Sequence, residues 1–389
     1  MIIVIPCLAE PHITDTLESL KACDPPACST EIIIVINSPE NASTEILEAN
    51  ERALMECNQW AIENKTARFA IHILGMKDLP AKHAGVGLAR KIGMDEAAVR
   101  LDKTRLENGI IICFDADCTV DPNYLMTIYD YFIERKDINA ASIYFEHPLE
   151  NVSDDLDAIT HYELFLRYYL WGLRYAAYPY AYHTIGSSMA VRSNTYKSQG
   201  GMNKRKAGED FYFLHKLIPL GGFGEINDTT VYPSARPSDR VPFGTGRAIK
   251  NWRSGDTRYR YTYDPAIFDE LKTFQLELLE GYSRSFNELR TRLSKPNISF
   301  LDTLDFEKVL REINENSSTS SNYKKRFLRW FDGFRVLKMV HYLRDNHYPN
   351  VELIEAATTM LLRLGKEINV PNAQKLLIRY RELDRGSDS

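Results

Sequence analysis

The chain has 389 residues, a length that corresponds to one large domain or two of ordinary size. Its composition, with 44% hydrophobic, 26% charged and 11% aromatic residues, is typical of a globular protein and argues against a disordered, collagen-like or coiled-coil chain. The 48 basic and 53 acidic side chains give a net charge of −5 without the basic excess of a nucleic-acid-binding protein, so we expect no nucleic-acid partner.

Short β-branched runs alternate with helical patterns in the first part of the chain. We predict strands at residues 2–5, 32–36, 69–74 and 109–114, each followed by a helix, at residues 14–20, 43–60, 85–99 and 123–132. Continuous apolar strands are buried on both faces, and their alternation with helices predicts a mostly parallel sheet flanked by helices. The predicted fold class is therefore α/β.

The rest of the chain is predicted to contain several different segments before a helical C-terminal part. They are, in chain order, a strand that begins at Ala140, an aromatic-rich segment at 161–183, a strand at 186–191 and a loop region at 221–260. Beyond Pro265 the pattern is helical, with a Ser/Asn-rich stretch at 314–322 that indicates an exposed linker. We predict one domain at residues 1–264 and a helical C-terminal region at 265–389.

The N-terminus and the cysteines bear on the compartment. Residues 1–10 lack the basic and apolar regions of a secretory signal, because Pro6 interrupts the apolar run. No stretch reaches the roughly 20 apolar residues that span a bilayer. The six cysteines have no metal-binding spacing, and we interpret them as buried or reduced thiols. These features predict a cytoplasmic protein, with peripheral contact at the inner face of the membrane as an open alternative.

Glycine usage argues against two classes of nucleotide site. The first glycine of the chain is Gly75, whereas a dinucleotide-binding loop or a P-loop needs glycines directly after the first strand. The same absence disfavours a sugar-phosphate nucleotidyltransferase, whose first loop is expected to be rich in glycine.

A pair of carboxylates follows the fourth predicted strand. In the motif FDADC, Asp115 and Asp117 share a face if the strand conformation persists, and ligands of open α/β sheets bind at this edge. Two close carboxylates repel each other unless a cation neutralises them, and such oxygen ligands suit Mg²⁺ or Mn²⁺ with substrate phosphates. A strand-end turn with a capping aspartate is the alternative.

Together with FDADC, the surrounding segments resemble the family 2 glycosyltransferases of the GT-A fold over about residues 1–250. IPCLAEPHITDTLESL is similar to that family's first strand, loop glutamate and helix, and EIIIVINSPENAST is similar to its second strand. Asn37 and Ser38 stand where the family usually carries acidic residues, a departure that concerns the contact with the base. The resemblance implies nucleotide-sugar binding by Pro6, Glu10, Asn37, Lys82, Arg90, Asp115, Ala116, Arg240 and Arg247.

Two further segments carry the resemblance. Residues 82–97 resemble the family's glycine-containing loop and Ala-Arg helix, and residues 186–217 resemble its acceptor-side segment. The resemblance therefore divides the first domain into a nucleotide-sugar-binding half at 1–135 and an acceptor-side half at 136–264. In the family the Asp of the acidic pair is the general base, which implies catalysis by Asp210 and Glu209. Helix capping is the alternative for this pair.

Residues 233–249 gather Arg236, Arg240 and Arg247 near two glycines. Guanidinium groups grip phosphate bidentately, so this loop is a candidate to close over a donor diphosphate. A solvated basic loop is the alternative for each arginine. The aromatic segment at 161–183 has three interpretations, namely an acceptor groove, a membrane-interface surface or ordinary core.

The predicted function is a metal-dependent glycosyltransferase of the hexosyltransferase type. It would move a sugar from a nucleotide-diphosphate donor to a saccharide, lipid-linked or other hydroxyl acceptor, with Mg²⁺ or Mn²⁺ held by Asp117 and Asp115. Asp210 would deprotonate the acceptor, so that the reaction inverts the anomeric carbon. The alternatives are a retaining glycosyltransferase, a sugar-phosphate nucleotidyltransferase and a non-catalytic carbohydrate-binding scaffold.

Overall fold

The computed structural model describes residues 1–66, 68–106, 108–150, 154–238, 244–367 and 372–386. The chain divides into two compact units, each built from segments that are distant in sequence. The first unit comprises Met1–Asp155, Tyr182–Lys250 and Leu383–Ser389, and the second comprises Leu156–Ala181 and Asn251–Glu382. The domain boundary predicted between residues 264 and 265 remains a prediction.

The first unit contains an eight-stranded sheet. Its strands are β1 (Ile2–Cys7), β2 (Thr30–Pro39), β3 (Phe69–Leu79), β4 (Ile110–Cys113), β5 (Cys118–Val120), β6 (Ala140–Phe145), β7 (Met189–Arg192) and β8 (Phe223–Pro233). They lie in the order β3-β2-β1-β4-β7-β6-β8-β5. The pairs β3–β2, β2–β1, β1–β4 and β6–β8 are parallel, whereas β7 is antiparallel to both neighbours and β5 is antiparallel to β8. The predicted α/β class with a mostly parallel sheet is confirmed.

The helices occur in both units. In chain order they are α1 (Ile13–Lys21), α2 (Thr44–Asn64), α3 (Val86–Lys103), α4 (Tyr124–Glu134), α5 (Leu156–Tyr175), α6 (Ser193–Ser198), α7 (Glu209–Leu217), α8 (Thr245–Arg253), α9 (Pro265–Leu279), α10 (Phe286–Arg290), α11 (Lys295–Asp302), α12 (Phe306–Glu315), α13 (Ser320–Trp330), α14 (Gly333–Asn346), α15 (Leu353–Arg363) and α16 (Ala373–Arg385). Two short strands, β9 (Tyr261–Thr262) and β10 (Val351–Glu352), pair in the second unit.

The register of the parallel strands brings their carboxyl ends together. Ile2 of β1 lies opposite both Glu31 of β2 and Ile111 of β4, so the three strands run side by side in one direction. Every residue of β1 and β4 is buried, as expected for strands covered on both faces. Helix α3 packs on β1 and β2, where Gly93 faces the side chains of Val4 and Val35.

The prediction of a loop region at 221–260 is wrong for much of that range. Residues Phe223–Pro233 form β8, which pairs with both β6 and β5, and Thr245–Arg253 form α8. The glycines, asparagine and aspartate of this region suggest a loop, but strand pairing with sequence-distant neighbours outweighs that local preference. The three-residue β5 was not predicted either, because it is too short to show a periodic pattern.

In the second unit, the aromatic segment contributes to a core. Tyr168 of α5 is fully buried and donates a hydrogen bond to the Tyr263 carbonyl oxygen at 2.6 Å, and Tyr178 is 3% exposed. These two tyrosines therefore fit the core interpretation. The predicted linker at 314–322 is shorter than expected, because α12 continues to Glu315 and the Thr319 side chain caps α13.

The cysteines fit the prediction of buried or reduced thiols. All six cysteines lie in the described part of the chain, where none forms a disulfide and five are buried. Among the described helices, none combines the length and the hydropathy that crossing a bilayer requires.

Candidate functional site

The two aspartates of FDADC lie on a turn directly after β4. The Phe114 amide still bonds to the Val4 carbonyl of β1 at 3.0 Å, but the Cys118 amide then bonds to the Asp115 carbonyl at 3.2 Å. The premise that the strand continues through the motif is therefore wrong, because β4 ends at Cys113 and the turn follows. The Thr16 hydroxyl of α1 donates to the Ala116 carbonyl at 2.9 Å and fixes the turn against the first helix.

The acidic pair Glu209 and Asp210 begins α7. Gly208 precedes the helix with a φ of 70°, a conformation that glycine adopts without strain. The Asp210 carboxylate accepts a hydrogen bond from the Phe211 amide at 2.7 Å, and the Gly186 backbone also bonds to it. Both carboxylates thus lie at the positive end of a helix dipole.

Arg90 of α3 links the two acidic segments. Its Nη2 donates to Asp115 Oδ1 at 2.6 Å, and its Nη1 donates to Glu209 Oε1. The side chains of Arg90 and Glu209 are each 2% exposed, so this ion pair is removed from water. One guanidinium therefore holds the turn after β4 next to the start of α7.

Two glycines leave the space that this arrangement needs. A Cβ atom on Gly186 would lie 2.5 Å from Arg90 Nη1, and one on Gly87 would lie 2.9 Å from Glu209 Cβ and 2.1 Å from the Arg205 carbonyl. Any larger residue at either position would displace the groups around Arg90. Gly87 stands in a predicted loop motif and Gly186 in a predicted strand, but no local pattern indicates these close contacts.

Burial sets the proton affinity of the acidic pair. It raises the pKa of Glu209 to about 7, with Asp210 raising it further and the Arg90 charge opposing the shift. Burial also raises the pKa of Asp210, again against the effect of Arg90. Desolvation disfavours the charge of Arg90 itself, but Asp115 and Glu209 raise its pKa above the ordinary value. Arg90 therefore stays cationic while the pair holds a proton more readily than exposed carboxylates do.

A second ion pair lies near Asp117 of the FDADC turn. The Glu10 side chain, in the loop after β1, is fully buried and accepts hydrogen bonds from the His12 amide at 3.2 Å and from Arg236 Nη2. The same Nη2 atom is 3.7 Å from Asp117 Oδ2. Glu10 and Arg236 stand in separate sequence motifs, and no local signal connects residues that are 226 positions apart.

The described side chains supply only some of the ligands that a divalent cation needs. No group of three or more His, Cys, Asp or Glu side chains that could hold a metal occurs in the described ranges. Asp115 and Asp117 do supply carboxylate oxygens, and their side chains are 35% and 27% exposed. Mg²⁺ commonly takes one or two carboxylates together with substrate phosphates and water, so this pair fits such an ion.

Four further predicted residues lie in the described part of the chain. Pro6 is buried in β1, Ala116 is in the FDADC turn, Lys82 is exposed before α3, and Arg247 is half-buried in α8. Arg240 lies outside the described residues.

Asn37 lies near the end of β2 and is 2% exposed. Asn50 of α2 joins it to the first loop, because the Asn50 amide donates to the Asn37 carbonyl at 2.9 Å and accepts from the Ala9 amide at 2.7 Å. The Nδ2 atom of Asn37 is buried, and no described residue forms a hydrogen bond with it. A buried donor of this kind is available to a ligand.

Comparison with known proteins gives a match to one family model. Residues 2–182 match the family described as glycosyl transferase family 2. No curated protein matches. Residues 1–349 of S. aureus TarS in complex with UDP-GlcNAc are similar in structure, with 13% identity over 85% of this chain and 90% of that one and a TM-score of 0.44. The mannosyltransferase PcManGT from Pyrobaculum calidifontis, in complex with GDP-Man and Mn²⁺, has 12% identity over 100% and 87% of the two chains and a TM-score of 0.35.

Proposed function

We propose that this chain, whose residues 2–182 match the model of glycosyl transferase family 2, transfers a sugar from a nucleotide-diphosphate donor to a hydroxyl acceptor with inversion. The acceptor class is a saccharide, a lipid-linked group or another hydroxyl compound. Asp210 is the general base, Glu209 is its partner, and Asp117 with Asp115 is the site of Mg²⁺ or Mn²⁺.

The observation that carries this proposal is the contact of Arg90 with Asp115 and Glu209. A sugar donor bound through its diphosphate at the FDADC turn would place its anomeric carbon near the carboxyl ends of the parallel strands, where α/β proteins bind ligands. Because Arg90 holds α7 against that turn, the acidic pair is within reach of the same space. A helix cap alone does not require a buried arginine shared with a second acidic segment.

The chemistry of the acidic pair supports general-base catalysis. An acceptor hydroxyl attacks the anomeric carbon as its proton passes to the Asp210 carboxylate, and the bond to the diphosphate oxygen breaks. A carboxylate with a raised pKa takes that proton more readily than an exposed one. Attack from the face opposite the leaving group inverts the configuration. Glu209 precedes this base in α7. Through its ion pair with Arg90, Glu209 fixes the backbone and the charges around Asp210.

The carboxylates after β4 act on the leaving diphosphate through the metal ion that they would hold. A divalent ion held by Asp117 and Asp115 would supply Lewis-acid stabilisation of negative charge on the diphosphate. Arg236, next to Asp117, adds a guanidinium that can bind phosphate oxygens. Asn37 has a buried amide donor available to a base carbonyl, at a position where the family usually carries an acidic residue.

A screen of binding and turnover tests the proposal. The purified protein is heated with UDP, GDP, CDP or TDP and with their common sugars, in Mn²⁺, Mg²⁺ or chelator, because a ligand that binds only the native state raises Tm. We expect a metal-dependent shift with one nucleotide class. The anomeric configuration of the transferred sugar, determined by NMR, then distinguishes inversion from retention. No shift and no hydrolysis or transfer with any donor would instead support a non-catalytic scaffold.

A further inference from the structure

We propose that Arg236 is a built-in cation of the donor site, which Glu10 holds beside Asp117 and which competes with the divalent metal ion for that carboxylate. The diphosphate of the donor removes this competition, because it binds the guanidinium of Arg236 in place of Asp117. Metal binding and diphosphate binding are then coupled through one side chain. The inference rests on the proposed function, because it assumes that Asp117 is a metal ligand.

Glu10 accounts for the position of Arg236. The Glu10 side chain is fully buried, and a buried carboxylate without a partner is strongly unfavourable. Its two oxygens accept from the His12 amide and from the guanidinium, so the arginine supplies the compensating charge. Glu10 is thereby a positioning residue that acts through Arg236, in addition to the nucleotide contact that the family resemblance implies.

Arg236 also faces the carboxylate assigned to the metal. Its Nη2 is 3.7 Å from Asp117 Oδ2, and the two side chains are 29% and 27% exposed. The same nitrogen therefore lies between a buried anion and a partly exposed one. An ion that binds Asp117 must approach within the range of this positive charge, which opposes a second cation.

The diphosphate changes this balance. Its oxygens carry several negative charges and accept bidentate hydrogen bonds from a guanidinium, so it compensates both cations at once. We therefore expect weak metal binding to the free protein and stronger binding in the presence of diphosphate. Because coupling of two ligands is reciprocal, a variant without the guanidinium loses part of this mutual strengthening.

The test measures Mn²⁺ binding to the free protein, without nucleotide, from the electron paramagnetic resonance signal of unbound Mn²⁺. We expect Arg236→Gln to bind Mn²⁺ at least about tenfold more tightly than the wild type, since one unfavourable charge is removed. Arg236→Lys keeps the charge and should resemble the wild type. The double variant with Arg236→Gln and Asp117→Asn should lose the increase in Mn²⁺ affinity. That loss would show that the ion binds to Asp117.

Arg100→Gln is the matched control, because Arg100 also forms an ion pair, with Glu31 at 2.6 Å, but lies outside the site. It should leave Mn²⁺ affinity unchanged. Circular dichroism shows whether each variant is folded, and Arg236→Met, which keeps the apolar stem, replaces Arg236→Gln if the latter does not fold.

Unchanged or weaker Mn²⁺ binding by the folded uncharged variant would overturn the inference, and so would the absence of Mn²⁺ binding by every variant. The measurement does not depend on turnover. If Mn²⁺ binding behaves as expected but no donor is used, the proposed function fails while the competition stands. If sugar transfer occurs but Mn²⁺ binding does not respond to Arg236, only the competition fails.

Discussion

Arg90 and Glu209 form an ion pair in which each side chain is 2% exposed, although they are 119 positions apart along the chain. The same guanidinium binds Asp115, which lies after β4. A buried ion is tolerated only when it is paired, so the position of the Glu209 carboxylate depends on this arginine. The resemblance implied that Arg90 contacts the nucleotide sugar, whereas its burial supports a positioning role for the two acidic segments.

Arg90→Gln should affect both stability and the pH dependence of activity. We expect the free energy of unfolding to fall by about 3 kcal/mol near neutral pH, the order observed when one partner of a buried pair is removed. The Arg90 charge lowers the pKa of Glu209 and of Asp210, so both values rise in the variant. The acid limb of the pH profile of kcat/KM should then move to higher pH.

Arg100→Gln provides the control, because Arg100 is also on α3 but is 30% exposed where it pairs with Glu31. Its loss should cost less than about 1 kcal/mol and leave the acid limb in place. If Arg90→Gln is folded and has the wild-type acid limb, Arg90 does not control the acidic pair.

Gly186→Ala tests the space beside Arg90. The new Cβ would lie 2.5 Å from Nη1, so the guanidinium must shift and carry Asp115 and Glu209 with it. A displacement of this size at a catalytic site can reduce turnover by about 100-fold. Steady-state kinetics measure the loss. Gly75→Ala is the matched control, because its Cβ would meet nothing within 4 Å, and wild-type kinetics in both variants would show that Gly186 does not position Arg90.

Much of the fold follows from local sequence patterns. Strands β1 to β4 and their helices are predictable because continuous apolar runs and amphipathic helices have their own periodicities. The strands β5 and β8 are not, since β5 has three residues and β8 contains polar residues that suit a loop in isolation. Their pairing is decided by contacts between distant parts of the chain.

The candidate site shows the same division. Asp115 and Asp117 become candidates from a short motif, and Glu209 and Asp210 become candidates through the family resemblance. Which arginine serves which carboxylate is a tertiary property. Neither the sharing of Arg90 nor the contact of Glu10 with Arg236 has a local signature.

Glu209→Gln should flatten the pH dependence of stability. The pKa of Glu209 is about 7 in the folded protein and 4.5 ordinarily, so the folded state binds more protons between these values. Stability from this group is fully present below pH 4.5 and is lost as the pH rises through 7. Unfolding in urea at about pH 5 and about pH 7.5 should show a smaller difference for Glu209→Gln than for the wild type. An equal or larger difference would contradict the raised pKa.

Asp117→Asn should remove the metal-dependent part of donor binding. The substitution keeps the size of the side chain but replaces a charged oxygen ligand, which Mg²⁺ and Mn²⁺ require. We expect the rise in Tm with donor and Mn²⁺ to shrink to the value seen with chelator. Asp130→Asn, at an exposed position of α4, should behave as the wild type. An undiminished metal-dependent shift in Asp117→Asn would remove Asp117 from the metal site.

Asp210→Asn should separate binding from chemistry. Asparagine keeps an oxygen that accepts from the Phe211 amide, so the start of α7 is preserved, but it cannot take the proton of an acceptor hydroxyl. We expect kcat to fall by about 10²- to 10⁴-fold, the contribution of a general base, with donor affinity unchanged. Calorimetry with the donor and single-turnover kinetics measure the two effects separately.

Asp102→Asn is the control for this substitution, because Asp102 is an exposed aspartate that pairs with Lys197 away from the acidic pair. Near-normal turnover in Asp210→Asn would exclude it as the base and leave helix capping as its role. Loss of donor affinity together with turnover would instead indicate that Asp210 contributes to the donor site. Only loss of turnover at unchanged donor affinity supports proton transfer, since capping and donor binding both act before the chemical step.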